Sequence, residues 1–410
     1  MKKIIMNSVI AFAAAALVAC GGSSSKNQGT DVKPEQKQVT GQLTMPDGGT
    51  PLADATVYVP DPTQPKLGVV ARQAVVGVDC KEPAEAYVFA TCTDAKGNFV
   101  LSVDKEFDLS ELKAVKGKFE LFIPIDETDG LDVGAVTLPN EGEGVPRMAV
   151  VQGDYDNIEN VLAKTGYGEV DENTGGLVLG TETFDLFGRN DFYDVFTVGE
   201  NEQLKLFDYD IVFVNCGVNE FNASPRSDEI REALREYVNK GGQLYVTDQA
   251  YDYVEQAFPE YIDFYGSDDT PTEEPEALNA AQEGVVKNKT YGNVLDPILL
   301  STLKNMSCGE DEEGEEISCV EANDDAFSIQ GMLGSWAVML NPHKEKADEV
   351  KVWVEGEVSY GNEEDQVRPL TVSFNHGEGK VIYTSYHTDN SNNSVDLLPQ
   401  ERVLQFLVFE

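Results

Sequence analysis

The chain has 410 residues, with 30 basic against 73 acidic side chains and a formal net charge of −43. Such a charge repels nucleic acid and anionic headgroups, so neither is an expected partner. It reads first as a solvated acidic surface and second as a supply of oxygen ligands for a divalent cation.

At the N-terminus Lys2 and Lys3 lead into the apolar run Ile4 to Val18. A charged start, a short apolar stretch and small residues beyond it make a secretory signal, too short for a transmembrane span. Leu17-Val18-Ala19-Cys20-Gly21 resembles the lipobox of bacterial lipoproteins. The resemblance implies a signal peptide over residues 1–19, cleavage before Cys20, and lipid on the Cys20 thiol and the new amine. More than one acyl chain gives stable anchoring, so the membrane is an expected partner through Cys20. Gly21 is not the Asp that retains such proteins at the inner membrane, so the expected place is the outer membrane, facing periplasm or cell surface. Residues 20–38 are polar and Gly/Ser-rich at their start, and read as a disordered tether.

From 39 to about 140 apolar and polar residues alternate between Gly, Pro and Asp turns, as in Val39 to Thr44, Ala55 to Val59 and Asn98 to Val103. Period-two patterning with frequent turns predicts a small antiparallel β-sandwich. The order of Gly41, Pro51-Leu52-Ala53-Asp54-Ala55 and Thr93-Asp94-Ala95-Lys96-Gly97-Asn98-Phe99 resembles a carboxypeptidase regulatory-like domain. That resemblance implies a prealbumin-like sandwich serving as an accessory module without catalysis.

Exported proteins meet an oxidising compartment, and there the close pairs Cys80/Cys92 and Cys308/Cys319 read as disulfide staples, each worth roughly 2 to 3 kcal/mol. Cys216 is left as a free thiol. No Cys-x-x-Cys pair exists, and His343, His376 and His387 are distant in sequence from the cysteines, so no zinc site is expected.

From 147 to 410 the pattern changes to alternating strands and helices. Met148 to Val151, Asp210 to Val214 and Gln243 to Asp248 read as strands. Ile158 to Thr165, Ser227 to Val238 and Tyr251 to Phe258 read as helices, the first stopped by Gly166 and the second by Gly241-Gly242. Val350 to Val358 and Leu370 to Phe374 read as further strands that complete the sheet with an antiparallel edge. The fold class is therefore multidomain: an all-β sandwich, then an α/β doubly wound, mostly parallel sheet with helices on both faces. Tyr209 to Gly217, the helix ending in Lys240-Gly241-Gly242, and Gly377 to His387 together resemble the class I glutamine amidotransferase-like fold. They are closest to its trehalose-utilisation-type members, which implies a flavodoxin-like sheet. That chemistry needs a thiolate on a Gly-x-Cys-x-Gly elbow, activated by a His that a carboxylate orients. Here the elbow reads Val246-Thr247-Asp248-Gln249-Ala250, so Asp248 replaces the nucleophile and glutamine-derived ammonia transfer is not expected. His387-Thr388-Asp389 stands where the family carries His-Pro-Glu.

Asp248, His387 and Asp389 are thus the candidate catalytic groups, with Asn215, Cys216, Gln249 and Tyr251 as pocket neighbours at the strand ends. The plainer alternatives are a helix N-cap for Asp248, a buried inert thiol for Cys216 and a loop histidine for His387. An insertion over about 266–325 interrupts the α/β pattern as a lid or a decoration. It carries the acidic run from Glu310, Asp311 and Glu312 to Glu316, which lacks the spacing of a calcium loop and reads as solvated; no cofactor is expected, with calcium at this run as the alternative. Three functions follow: a membrane-anchored non-catalytic scaffold binding an envelope protein or glycan, a hydrolase of envelope or carbohydrate substrates using Asp248, His387 and Asp389, and a calcium-stabilised adhesin. The absent nucleophile favours the first.

Overall fold

A computed structural model describes residues 35–61, 63, 80–125, 131–188, 194–199, 202–218, 227–266, 274–287, 289–310, 313–321, 325–330, 332–388 and 394–410. Cys20 with its lipobox, most of the tether, Asp311, Glu312 and Asp389 lie outside the described residues. Gln36–Glu410 form one compact unit, sheet-rich with few helices. Among the described residues no helix is long and apolar enough to cross a membrane.

Seven strands come first: β1 Gln36–Thr44, β2 Thr56–Pro60, β3 Tyr87–Cys92, β4 Asn98–Asp104, β5 Glu111–Lys116, β6 Phe119–Pro124 and β7 Asp132–Thr137. They make two sheets, ordered β4-β1-β7 and β3-β2-β5-β6. Alternation decides what each strand buries. In β4, Phe99, Leu101 and Val103 are buried while Asn98 and Val100 are exposed. Val57 and Val59 of β2 and Leu121 and Ile123 of β6 join them in one cluster. The turn before β4 is set by Asp94, whose carboxylate accepts from the backbone N–H of Lys96 (2.9 Å) and Asn98 (2.8 Å). Gly97 follows at φ +74°, where an added Cβ would lie 2.2 Å from the Leu43 carbonyl oxygen. Only glycine satisfies both demands. One pairing departs from the expected antiparallel pattern: β7 runs parallel to β1. The chain leaves β4, makes the β5–β6 hairpin in the other sheet, and returns to the open edge of β1 in the same direction as β1.

The remaining elements are β8 Met148–Val151, α1 Ile158–Leu162, β9 Asp185–Phe187, β10 Ile211–Val214, α2 Ser227–Asn239, β11 Gln243–Thr247, α3 Asp252–Glu255, β12 Ile262–Phe264, β13 Gly284–Val285, β14 Thr290–Val294, α4 Pro297–Lys304, β15 Ser307–Glu310, β16 Glu316–Ser318, β17 Ala326–Ile329, β18 Met339–Pro342, β19 Val350–Tyr360, β20 Glu363–His376, β21 Gly379–Thr384 and α5 Pro399–Val408. The main sheet is ordered β17-β14-β19-β20-β21-β11-β10-β8-β9, with β13 on β19. From β21 to β9 all neighbours are parallel. From β17 to β21 they are antiparallel. The expected antiparallel edge over 350–374 is therefore part of a whole antiparallel half, and the sheet is mixed rather than mostly parallel; β19 and β20 are joined by a tight turn at Gly361 instead of a helical crossover.

Both faces of the parallel half are covered, which explains its unbroken apolar strands. Ile211, Phe213, Tyr245 and Ile382 face one cluster with α1 and α5, through Val161, Leu162, Val403 and Leu404. Their chain neighbours Val212, Val214, Leu244, Val246, Val381 and Tyr383 face the other, with Ile230, Leu234 and Val238 of α2 and Val254 of α3. The first cluster is continuous with the core of the small sheets. At that junction the Phe119 ring lies 4.4 Å from Phe409, and Lys116 pairs with Glu410 at 2.6 Å and Asp54 at 3.4 Å. The segment expected to be a lid or decoration is built into the fold instead: β14 pairs with β19, and α4 lies against α5. Cys80–Cys92 and Cys308–Cys319 are disulfide-bonded, with Cα separations of 5.8 and 5.0 Å, and Cys216 is free and buried.

Candidate functional site

Strands β10, β11 and β21 are adjacent and parallel, so their carboxyl ends emerge on one edge of the sheet. Each delivers one side chain there. Cys216 follows β10 by two residues, Asp248 follows β11 directly, and His387 follows β21 by three. Asp248 begins a 3₁₀ turn leading to α3 and has φ +42°, a left-handed conformation that costs most side chains about 1 kcal/mol or more and that Asp tolerates better than most. This makes a tight strand-to-helix elbow with a carboxylate at its tip.

The elbow is held from several sides. Asp248 Oδ1 accepts from the Ala337 backbone N–H at 2.8 Å, and the Asp248 carbonyl accepts from the Tyr383 hydroxyl at 3.0 Å. The Cys216 N–H donates to Thr247 Oγ1 at 2.9 Å, locking the end of β10 to the end of β11. Gly153 lets the β8 loop pass under Cys216, since a Cβ there would sit 1.9 Å from the Cys216 carbonyl oxygen. His387 is fixed through its neighbour: Thr388 donates from its N–H to Asp156 Oδ2 (3.0 Å) and from Oγ1 to Asp156 Oδ1 (3.0 Å).

Asp248 Oδ2 is the centre of the cluster. It lies 3.0 Å from His387 Nε2 and 3.6 Å from Cys216 Sγ, which donates to it. The three side chains are almost fully buried, with 1 %, 1 % and 3 % exposure for Cys216, Asp248 and His387. Burial, and then the Asp248 carboxylate, push the Cys216 thiol well above its ordinary range, so it is held protonated; a backbone hydrogen bond from Gln249 works weakly the other way. One donor atom from each of the three side chains falls within 4.8 Å of the others, a set that could hold a metal ion.

Of the residues expected here, Asp248, His387 and Cys216 come together. Asn215 is next to Cys216 but turns to α1, donating to Glu159 Oε2 at 2.9 Å and the Asp156 carbonyl at 3.1 Å. Gln249 donates to the Ser335 carbonyl at 2.9 Å, before β18, and the Tyr251 hydroxyl accepts from Ala281 N–H at 3.0 Å, before β13. Asp248 does not cap the helix after it; no side-chain cap is made at the start of the 3₁₀ turn or α3. Asp389 lies outside the described residues, as do Asp311 and Glu312 of the acidic run. Glu310 ends β15 and Glu316 begins β16, which pair antiparallel, and both glutamates are exposed. Sequence reasoning missed Asp156 and Glu159, the buried acids beneath the site. Burial raises Glu159, against hydrogen bonds from Gln152 and Asn215. Their only signal is the acidic character of an otherwise buried helix start, which many exposed helices share.

No family model matches the chain, and no curated protein matches it. Among solved structures it is similar to a cytoplasmic protein of Salmonella typhimurium, with 12 % identity over 65 % of this chain and 99 % of the other and a TM-score of 0.35. PurLQS of Thermotoga maritima is 15 % identical over 64 % of this chain and 97 % of its own, with a TM-score of 0.33. A glutamine amidotransferase of Thermotoga maritima is 10 % identical over 59 % and 75 %, with a TM-score of 0.29. At such identities and scores no shared activity follows.

Proposed function

We propose that the protein is an outer-membrane lipoprotein, anchored through lipid on Cys20, whose folded part is a non-catalytic scaffold that binds an envelope protein or glycan. In this reading residues 39–140 are a prealbumin-like spacer of the carboxypeptidase regulatory-like kind. Residues 147–410 are a flavodoxin-like domain related to the amidotransferases that has lost their chemistry. One observation carries it: the elbow where the amidotransferase chemistry needs a thiolate holds Asp248, and the one thiol beside it is buried and kept protonated. A nucleophile needs the opposite, a lowered pKa and access. Radiolabelled palmitate incorporated by the full-length protein and lost in Cys20→Ala tests the anchor. An envelope-glycan array read for both binding and turnover tests the scaffold, which requires binding without turnover.

A hydrolase is the second reading, favoured by the Asp248 to His387 contact at 3.0 Å, a distance suited to proton transfer. It requires turnover of an envelope or carbohydrate substrate that is abolished in His387→Ala and Asp248→Asn. Turnover that survives both would place the chemistry elsewhere.

A further inference from the structure

We propose that Cys216, Asp248 and His387 form a buried binding site for a thiophilic divalent transition metal of the zinc class. The donors are one sulfur, one carboxylate oxygen and one imidazole nitrogen, all within 4.8 Å of each other. Zinc takes these three atom types, at about 2.3 Å from sulfur and about 2.0 Å from nitrogen and oxygen. Tetrahedral angles at those lengths put sulfur and oxygen about 3.5 Å apart and nitrogen and oxygen about 3.3 Å apart. The observed separations are 3.6 and 3.0 Å. Two of the three donor–donor edges therefore already match a zinc tetrahedron to within a few tenths of an ångström, and the third, from sulfur to nitrogen, is within 4.8 Å.

Charge and rigidity point the same way. A thiolate and a carboxylate buried together carry two negative charges, which a divalent cation cancels in the low-dielectric interior while the neutral imidazole completes the set. Calcium is the wrong class, since it takes six or more oxygen ligands and neither sulfur nor nitrogen. The donors sit on the ends of three adjacent strands, braced by Thr247, Ala337 and the Asp156 to Thr388 contact, so the geometry does not depend on a loop folding around the ion. Among the described residues Cys216 is also the thiol that neither disulfide uses. The sequence separation that argued against zinc is overcome by strand order, because β21, β11 and β10 are neighbours in the sheet. The ion would clamp three strand ends, a role that needs no activated nucleophile and goes beyond the scaffold reading without depending on it.

The test uses full-length protein stripped with a chelator and then loaded with zinc, or with cobalt as a spectroscopic substitute. The expected result is a single zinc equivalent retained after dialysis, a raised melting temperature, and a thiolate-to-cobalt charge-transfer band that disappears in Cys216→Ser and His387→Ala. An acidic surface that collects zinc cannot produce the thiolate band. Absence of that band in the wild type, or a band unchanged in Cys216→Ser, would overturn the proposal. If Cys216→Ser does not fold, the wild-type spectrum and the loss of the zinc equivalent in His387→Gln decide it, and zinc retained by His387→Gln at full stoichiometry and affinity counts against the site.

Discussion

Lys164 Nζ and Glu401 Oε1 are 2.9 Å apart with side-chain exposures of 2 % and 0 %, an ion pair sealed between the chain after α1 and the first turn of α5. Glu401 also accepts from the Leu398 N–H at 2.7 Å, so one carboxylate both neutralises the lysine and caps the last helix.

Removing one partner leaves the other charged and buried. Lys164→Met should destabilise the fold by about 3 to 5 kcal/mol, and the double change with Glu401→Gln should recover much of that loss. Urea denaturation of the three variants checks it. Equal losses in single and double variants would show that the pair's charges are not coupled.

Asp156 is fully buried and receives both the N–H and the hydroxyl of Thr388. Asp156→Ala orphans those donors and should cost roughly 1 to 3 kcal/mol per buried unsatisfied group. It should also shift the His387 imidazole resonances while leaving those of His343 in place, which a histidine-selective NMR spectrum reads.

Burial raises Asp252 to about 7; burial, followed by the charges of Asp252 and Glu276, raises Glu255 to about 9. Both would titrate near 4 in the unfolded chain. Between about pH 4 and 7 the folded state binds more protons than the unfolded, so stability is greatest at the acid end and falls as pH rises. The melting temperature should therefore drop from pH 5 to pH 7.5. Glu255→Gln should flatten the slope and raise the melting temperature at pH 7.5. A rising profile over that window would contradict this assignment.

The two disulfides should differ in worth. Cys80 and Cys92 are both buried and tie the strand β3 to the chain before it, whereas the second bridge joins a half-buried Cys308 to a buried Cys319 across a hairpin whose second strand is exposed. Replacing Cys80 and Cys92 by Ser should cost about 3 kcal/mol, and replacing Cys308 and Cys319 less, as read by thermal denaturation.

Much of the local structure was legible because its causes are local. The alternation of Asn98 to Val103, the Asp94 to Gly97 turn, the helix from Ser227 and the apolar strand from Ile211 are each set by residues within one element. What was not legible depends on strand order. The strands over 350–358 and 370–374 were legible as an antiparallel edge, and β19 and β20 do pair antiparallel; that β14 and β17 extend this edge to half of the sheet is set by tertiary pairing and leaves no local signature. The meeting of Asp248 and His387 could be anticipated only through a family resemblance. Cys216 was expected in the pocket from its place at a strand end, but that its sulfur reaches the Asp248 carboxylate follows from β10 lying next to β11, which no spacing in the sequence carries.

The claim that this site holds no activated nucleophile is tested most directly by the rate at which Cys216 is alkylated by iodoacetamide in the native protein at neutral pH with a chelator present. Thiol modification that is negligible until denaturant unfolds the chain is the predicted result. Alkylation of Cys216 faster than that of an unstructured cysteine peptide would reveal an accessible thiolate and contradict the scaffold reading.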